Sequence, residues 1–440
     1  MTRDEVIERL RALEQFGIKL GLDNIRTLVS ALDHPHDQFR CIHVAGTNGK
    51  GSVSAMVERA LRAAGHRTGR YTSPHLTDIE ERVAIDGTAV SREAFSVAAA
   101  DVLETVDRLR AKGTLRTTPT FFEVTTAIAF EVFRRAQVDT AVIEVGLGGR
   151  FDATNVIAPA VGAITSIALD HERHLGNSLA SIAYEKAGIL KGGLPVIIGE
   201  LPGEARAVIE MVADQQGGHL IDASSRLVHA SSLDRGRATI GVTTPVRRYD
   251  EVQLALRGAH QVGNAVIAIR VLETAAAAGI DVTGVDIVIG MTDAEWPARL
   301  EWLQAPNGGA VLLDAAHNHA GAEALAAYLS QAGVAPLPIV LAVMSDKDVA
   351  RMVQALAPSA SEFLATTVTS ARALTPDQLA AAIHAAVPAA PVAQYRNAAD
   401  AVDAARRSSR ALVVAGSIYL VGPIRAHLLA SGARRLPEPP

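Results

Sequence analysis

A short glycine-rich segment near the N-terminus carries the residue types that bind a polyphosphate. It follows the apolar run 41–45, precedes a stretch of helical period at 53–64, and reads Gly46-Thr47-Asn48-Gly49-Lys50-Gly51-Ser52. Glycines let the backbone approach a phosphate, amides at a helix start point donors at it, and a lysine supplies positive charge for its outer oxygens. We therefore expect a phosphate loop between a strand and a helix.

The match to the Walker pattern is incomplete. That pattern places four residues between its first glycine and the Gly-Lys pair, whereas two residues separate Gly46 from Gly49 here. A glycine-rich turn with a solvated Lys50 is the alternative interpretation. The three glycines, with Lys50 and Ser52 at the expected helix start, favour phosphate binding.

Three further polar residues could do chemistry near this loop. Glu144 ends the apolar run 138–145, so its carboxylate should emerge at the carboxyl edge of a parallel sheet and bind a metal ion, or else cap the following turn. His171 follows another apolar run; as a magnesium ligand it is less expected than as a hydrogen-bonded structural histidine, because magnesium prefers oxygen. Its spacing to His174 only weakly suggests a transition metal. Lys186, in a helical stretch, reads alone as a surface lysine.

Composition limits the classes of protein to which the chain can belong. It is 49% hydrophobic and 20% charged, as expected for a soluble globular protein, and its net charge of −5 argues against extended nucleic-acid binding. The one cysteine, Cys41, excludes an intramolecular disulfide. A charged N-terminus and the lack of an apolar run of roughly 18 residues predict neither a secretory signal nor a membrane span. We therefore expect a cytoplasmic protein.

The elements that must position these residues alternate along the chain. Short apolar runs alternate with stretches of helical period, which predicts an α/β fold with a mostly parallel sheet and helices on both faces. A second series of strands and helices begins beyond Trp296-Pro297, so we expect a second, smaller α/β domain. The predicted strands are 41–45, 138–145, 161–169 and 194–198, then 310–314, 339–344, 362–367 and 411–415; the predicted helices include 53–64, 121–135 and 179–190.

The string GTNGKGS resembles the phosphate loop of the Mur ligase superfamily. Downstream segments resemble its folylpolyglutamate synthase and dihydrofolate synthase branch, and the likeness covers roughly residues 15–425. These segments are 71–76, 144–155, 170–171, 185–189, Asn264, 296–300 and 314–318. The resemblance implies a Mur ligase-type P-loop ATPase domain at 1–292, a Rossmann-like glutamate ligase domain at 293–440, and an active site in the cleft between them.

The same resemblance assigns roles to individual residues. It implies magnesium ligands at Ser73, Glu144 and His171, with a carbamylated Lys186 as a further ligand, and Lys50 beside the phosphates. It implies nucleotide contacts from the loop 46–52 and from Asn264, Arg299, Asp314 and His317. The alternative interpretation of Asp314 and His317 is a helix N-cap and a solvent-facing turn.

The substrate implied by the resemblance is a pterin-containing carboxylate. The implied contacts are Thr120, Phe121, Phe122, Glu123, Phe151, Asp152 and Ala153. Flat aromatic rings suit a flat pterin, and Asp152 could accept hydrogen bonds from it, although Phe121 and Phe122 could equally be core residues. The segment 111–118 resembles an inserted loop beside this site.

The expected activity is that of an ATP-dependent ligase. It would join glutamate to dihydropteroate and extend the glutamate tail of reduced folates through an acyl phosphate. The implied cofactors are ATP and two Mg²⁺ ions, with a monovalent cation allowed. The expected partners are the small-molecule substrates, and the enzyme is expected to be a monomer. The alternatives are a ligase that only extends the tail, a peptidoglycan-type Mur ligase, and a P-loop switch that hydrolyses ATP slowly.

Overall fold

A computed structural model describes residues 1–15, 17, 21–306 and 308–440. The chain forms two compact units, which interleave along the sequence. The first comprises Met1–Leu227, Thr243–Tyr249 and Gly263–Ala294, and the second comprises Val228–Val242, Asp250–Val262 and Glu295–Pro440. The division into domains 1–292 and 293–440, with a single boundary between them, stays a prediction.

The first part of the chain alternates helices and strands. Its helices are α1 Arg3–Glu14, α2 Asp23–Ala31, α3 Lys50–Ala63, α4 Arg92–Ala111, α5 Phe121–Arg135, α6 Glu172–Leu175, α7 Leu179–Ala187 and α8 Gly203–Gln216. Its strands are β1 Arg40–Ala45, β2 Thr68–Tyr71, β3 Val83–Ile85, β4 Thr88–Ala89, β5 Thr140–Glu144, β6 Val161–Ile164, β7 Pro195–Ile198 and β8 His219–Asp222.

These eight strands form one sheet in the order β4-β3-β2-β5-β1-β6-β7-β8. The six strands from β2 to β8 in this order run parallel, and β3 and β4 are antiparallel additions. The central strands β1, β5 and β6 are almost entirely buried, which explains why most of their residues are apolar. Because they are parallel neighbours, Ala45, Glu144 and Ile164 end at the same edge of the sheet.

The later elements begin with a three-stranded sheet in the order β11-β10-β9, made of β9 Val228–Asp234, β10 Arg237–Thr243 and β11 Arg248–Gln253. Two helices follow, α9 His260–Ala277 and α10 Gly284–Thr292. The sequence patterns did not predict this sheet, because β9 and β11 are mostly exposed and the largely buried β10 has no continuous apolar run.

The second unit contains a seven-stranded sheet in the order β16-β15-β14-β17-β13-β12-β18. Its strands are β12 Glu301–Gln304, β13 Ala310–Leu313, β14 Leu337–Leu341, β15 Ala360–Ala365, β16 Val392–Gln394, β17 Ala411–Ala415 and β18 Arg434–Arg435. Its helices are α11 His319–Gln331, α12 Val349–Leu356, α13 Pro376–Ala386, α14 Ala398–Ser408 and α15 Ile418–Ala430. Strands β16 to β13 are parallel, whereas β12 and β18 are antiparallel.

The predicted α/β class with mostly parallel sheets is confirmed. Helix α5 and strand β17 have the predicted bounds, and the other strands that the sequence predicted are present with one or both ends shifted. The largest difference is β6, which ends at Ile164 rather than continuing to residue 169. Among the described residues, no helix has both the length and the apolar character that crossing a membrane requires.

Candidate active site

The phosphate-loop sequence forms the turn between β1 and α3. Gly46 has φ 144° and Gly49, the N-cap of α3, has φ 86°. A Cβ atom on Gly46 would lie 1.9 Å from Thr165 Oγ1, and one on Gly49 would lie 2.3 Å from Asn264 Oδ1. Both positions therefore require glycine for space as well as for backbone conformation.

The segment that follows β6 supports this loop. Ser166 accepts hydrogen bonds from Thr47 N at its carbonyl, 2.8 Å, and from Asn48 N at its hydroxyl, 3.0 Å. Thr165 Oγ1 donates to the Asn48 carbonyl at 2.6 Å. Residues 165–168 thus serve as a brace for the loop, which is why β6 is only four residues long. No local pattern in the sequence indicates this role of Thr165 and Ser166.

Two lysines converge on the same loop carbonyl. Lys50 Nζ donates to the Gly46 and Thr47 carbonyls at 3.0 and 3.1 Å, and Lys186 Nζ donates to the Gly46 carbonyl at 2.9 Å. Lys186 is 4% exposed, so the reading of this residue as a surface lysine is wrong. Burial, aided by the charge of Lys50, lowers the pKa of Lys186 to about 7.

Glu144 and Ser73 are brought together at the ends of β5 and β2. The Ser73 amide donates to Glu144 Oε2 at 3.4 Å, and the Glu144 side chain is buried. Its carboxylate thus lies at the edge of the sheet where the phosphate loop begins, as expected from the position of Glu144 in the sequence. A hydroxyl and a carboxylate at this place are oxygen donors of the kind that magnesium prefers.

His171 lies on the loop after the brace and precedes α6. It has φ 51°, its side chain is 39% exposed, and its amide donates to Asp170 Oδ1 at 2.8 Å. Asp170 is buried and its charge acts on Lys186. Asp170 therefore belongs to this group of charges, although sequence reasoning gave it no role.

The residues expected to contact the acceptor lie around the start of α5 and the turn after β5. Thr120 and Glu123 form a capping box at the start of α5, with Thr120 N donating to Glu123 Oε2 at 2.7 Å. This contact explains both residues as parts of a helix start. Phe121 and Phe122 are half-buried and pack against the hydrophobic core, so each residue is in part a core residue.

The ring of Phe122 and the residue Gly146 are in close approach. A Cβ atom on Gly146 would lie 2.3 Å from Phe122 Cζ. The guanidinium of Arg150 stacks over Phe151 at 4.2 Å, and that of Arg82 lies 5.1 Å from the centre of Phe121. Cations over aromatic faces hold these rings in defined orientations.

Asp152 is buried and its carboxylate is already engaged by the protein. Its Oδ1 accepts hydrogen bonds from the Thr154 amide, at 3.0 Å, and from the Thr154 hydroxyl, and its Oδ2 accepts one from Leu147 N at 2.8 Å. The Gly146 amide also acts on this carboxylate. Burial raises the pKa of Asp152 and these donors oppose the rise. Ala153 begins a short 3-10 helix, Ala153–Val156, which Asp152 caps.

In the second unit, Arg299 and Asp314 lie on adjoining turns. The Asp314 carboxylate accepts hydrogen bonds from Leu300 N and Ala316 N, both at 2.9 Å, so Asp314 organises these turns and Asn318, not Asp314, caps α11. Burial raises the pKa of Asp314, against the charge of Arg299. His317 is half-buried, with Nδ1 3.0 Å from the Ala315 carbonyl.

The backbone on both sides of Arg299 is left-handed at residues that carry side chains. Ala298 has φ 57° and Leu300 has φ 47°. Glu301, which is 6% exposed, accepts a hydrogen bond from Ala298 N at 2.9 Å and pairs with Arg425 and Arg435 at 2.7 and 2.8 Å. This buried ion cluster holds one end of the Arg299 turn.

Family models match both parts of the chain. The Mur ligase middle domain matches residues 44–272, and the Mur ligase, glutamate ligase domain matches residues 298–420. The chain is 35% identical over 347 residues to the dihydrofolate synthase/folylpolyglutamate synthase of Bacillus subtilis, covering 78% of this chain and 80% of that protein. It belongs to the folylpolyglutamate synthase/dihydrofolate synthase family of ATP-dependent ligases, within the Mur ligase superfamily.

Two other members of the folylpolyglutamate synthase/dihydrofolate synthase family extend the comparison. The Mycobacterium tuberculosis folylpolyglutamate synthase complexed with ADP and AMPPCP has a TM-score of 0.89 at 33% identity, covering 98% of this chain and 99% of that one. The probable bifunctional folylpolyglutamate synthase/dihydropteroate synthase of Haloferax volcanii is 35% identical over 82% of this chain, which spans 42% of that longer protein. The family and the fold are thus established over both units.

Proposed function

We propose that this chain phosphorylates the carboxylate of dihydropteroate, and of reduced folates, with ATP and joins the resulting acyl group to the amine of glutamate. The observation that carries the proposal is the loop 46–52, whose conformation requires glycine at positions 46 and 49. Its neighbours at one sheet edge are the carboxylate Glu144 and a buried Lys186, in a chain with both Mur ligase domains. The products are the amide, ADP and phosphate.

The phosphate loop and Lys50 would bind and orient ATP. Gly49, the N-cap of α3, has no side chain with which to cap the helix, so the amides of the first turn face the loop as donors for an anion. Lys50 Nζ now contacts two loop carbonyls. Phosphate oxygens are stronger acceptors than carbonyls, so bound ATP would draw this ammonium group onto the β- and γ-phosphates.

The donors near Glu144 fit a divalent metal ion. Glu144 offers a buried carboxylate, Ser73 a hydroxyl and His171 an imidazole, and we propose these as ligands of the first of two Mg²⁺ ions, with a monovalent cation allowed. When bound, magnesium would neutralise negative charge on the phosphate that is transferred.

Lys186 fits the proposed second ion only after a change of charge. An ammonium group beside Lys50 would repel a cation, whereas the pKa of about 7 leaves much of Lys186 as a neutral amine at neutral pH. A neutral amine attacks carbon dioxide, forming an N–C bond and releasing one proton, and the product is a carbamate. The carbamate would place an anionic oxygen ligand beside the Gly46 carbonyl.

The remaining roles stay as proposals for the substrates. Phe121, Phe122, Phe151 and Ala153 would border the pterin, with Thr120 and Glu123 setting the start of α5 beneath it. Asn264, Arg299, Asp314 and His317 would contact the nucleotide. The engaged carboxylate of Asp152 argues that this residue shapes the site, through Leu147 and Gly146, more than it binds the pterin directly.

One assay tests the activity. The purified chain is incubated with ATP, Mg²⁺ and glutamate, together with dihydropteroate, a reduced folate, a nucleotide-linked muramyl peptide or no acceptor, and products are identified by mass. We expect glutamylated product with the first two acceptors. Lys50→Ala should abolish the activity, and Arg11→Ala, at an exposed residue of α1, should retain it.

The other outcomes separate the alternatives. Product with the reduced folate alone would indicate an enzyme that only extends the tail, and product with the muramyl peptide would indicate the peptidoglycan branch. ATP turnover without any amide would indicate a switch. The monomeric state and the cytoplasmic location remain predictions, which sedimentation velocity and cell fractionation would test.

A further inference from the structure

His43 is a buried titratable residue to which neither the sequence nor the proposed mechanism gives a role. It lies in the middle of β1 and is 0% exposed. Its Nε2 lies 2.9 Å from Thr154 Oγ1. Within the described part of the chain, its Nδ1 has no hydrogen-bond partner. Burying an imidazole that makes one hydrogen bond has a desolvation cost that an apolar residue would avoid. The presence of a histidine at this position therefore calls for an explanation.

The direction of that bond follows from the neighbouring carboxylate. Asp152 Oδ1 accepts from the Thr154 amide and the Thr154 hydroxyl, so the single hydroxyl proton is directed at Asp152. Thr154 Oγ1 then has only lone pairs to offer His43. The Nε2 atom of His43 must therefore carry a proton, and Nδ1 is the bare nitrogen. Burial supports a neutral ring, because it lowers the pKa of His43 to about 3.

The chain of donors ends at the backbone of the proposed site. Asp152 Oδ2 accepts from Leu147 N at 2.8 Å, and the Gly146 amide also acts on Asp152. Gly146 lies directly against the ring of Phe122, where a Cβ atom would not fit. Glu144 is two residues before Gly146. The same hydrogen bonds thus fix the backbone between the metal-binding carboxylate and the aromatic face of the acceptor site.

We propose that His43 is a positioning residue, which orients the Thr154 hydroxyl so that Asp152 holds the Gly146–Leu147 backbone in place for the acceptor. The inference rests on the proposed function, because it assigns the turn 144–147 to the acceptor side of that site. His43 touches neither substrate nor nucleotide in this account. Its effect is exerted through Thr154 and Asp152 alone.

Paired variants separate this role from simple packing. His43→Leu removes the donor, and His43→Gln keeps an N–H at a similar reach; Thr154→Val removes the hydroxyl, and Thr154→Ser keeps it. We expect His43→Leu and Thr154→Val each to lower kcat/KM for the pterin acceptor about tenfold, which one buried hydrogen bond supports. The Kd for ADP should stay unchanged. Gln and Ser should restore most of the activity.

The double variant measures whether the two residues act as one unit. Because both single changes break the same bond, His43→Leu/Thr154→Val should lose little more than either alone. Additive losses, a parallel fall in nucleotide affinity, or full activity in His43→Leu would overturn the proposal. Should His43→Leu fail to fold, as judged by circular dichroism, the Thr154 pair decides in the same assay.

A second measurement does not depend on turnover. In the full chain labelled with ¹⁵N-histidine, NMR should show His43 neutral at pH 7 with its proton on Nε2. A proton on Nδ1, or a charged ring, would refute the inference even in a fully active enzyme. If the unaltered chain glutamylates no acceptor, the proposed function fails, whereas an active chain with unaffected variants refutes only the role of His43.

Discussion

Lys186 shows how a single buried cation can alter the chemistry of a site. Its side chain is 4% exposed, and its amine lies on the Gly46 carbonyl next to a second lysine. From the sequence alone it resembled a surface residue, because helical spacing does not reveal what a helix packs against. Its burial is a tertiary property, and the lowered pKa follows from it.

We expect carbamylation of Lys186 to depend on pH in a defined direction. The pKa of about 7 means that the reactive neutral amine dominates above pH 7 and disappears as pH falls below it. With bicarbonate, native mass spectrometry should detect the carbamate at pH 8 and little of it at pH 6. Lys186→Ala should remove the signal and most of the ligase activity. Retention of both in Lys186→Ala would refute the role, and Arg11→Ala, at an exposed residue of α1, is the control that should lose neither.

His43 should contribute a pH-dependent term to stability. Its pKa is about 3 in the folded chain and near 6.5 when unfolded, so between these values the unfolded chain takes up a proton that the folded chain refuses. Stability therefore falls as pH decreases. From pH 7.5 to pH 5 the free energy of unfolding should fall by about 2 kcal/mol more in the wild type than in His43→Gln. Urea titrations at both pH values measure the difference, and equal losses would contradict the prediction.

Among the elements, the β1–α3 turn depends most strictly on residue type. Gly46 has a positive φ, and Thr165 of the supporting segment lies against it, so a side chain at this position would be strained and would have no space. The sequence identified this turn, because glycines, a lysine and a helix start are local signals. The brace at residues 165–168 was missed, since it was read as the end of a longer strand.

Replacing Gly46 should therefore affect both stability and nucleotide binding. Gly46→Ala adds a Cβ atom against Thr165 Oγ1 and places a side chain at a positive φ, so we expect a loss of at least about 1 kcal/mol and no measurable ADP binding. Gly203→Ala is the matched control, because Gly203 begins α8 with open space around it. Calorimetry of both variants, with and without ADP, tests the prediction. Equal behaviour of the two would refute it.

At the scale of the whole molecule, the two units were only partly foreseen. The parallel strands were predictable because strands buried on both faces are mainly apolar, as in Ala411–Ala415 and in Cys41–Ala45, where His43 is the exception. The three-stranded sheet was not, because its outer strands β9 and β11 are mostly exposed and the central strand β10 has no continuous apolar run. Its assignment mostly to the second unit depends on contacts between distant residues, which no local pattern records.

The stability of the second unit should depend on the ion cluster of Glu301. Glu301→Gln removes the buried carboxylate that pairs with the partly exposed Arg425 and Arg435, so we expect a loss of about 2 kcal/mol. Hydrogen exchange followed by mass spectrometry should show lost protection in β12 and α15. Glu323→Gln is the control, since the exposed pair of Glu323 with His319 contributes little. Unchanged exchange in Glu301→Gln would show that the cluster is dispensable.

The left-handed residues Ala298 and Leu300 limit what protein engineering can achieve here. Each such conformation costs roughly 1–2 kcal/mol for a residue with a side chain, and glycine would relieve that cost. A search for heat-resistant variants would consequently tend to select glycine at Ala298, whereas the buried core side chain of Leu300 contributes more than the backbone cost and would be retained. The gain would come with a looser direction for the guanidinium of Arg299, so thermal resistance and catalytic efficiency should trade against each other within this one turn.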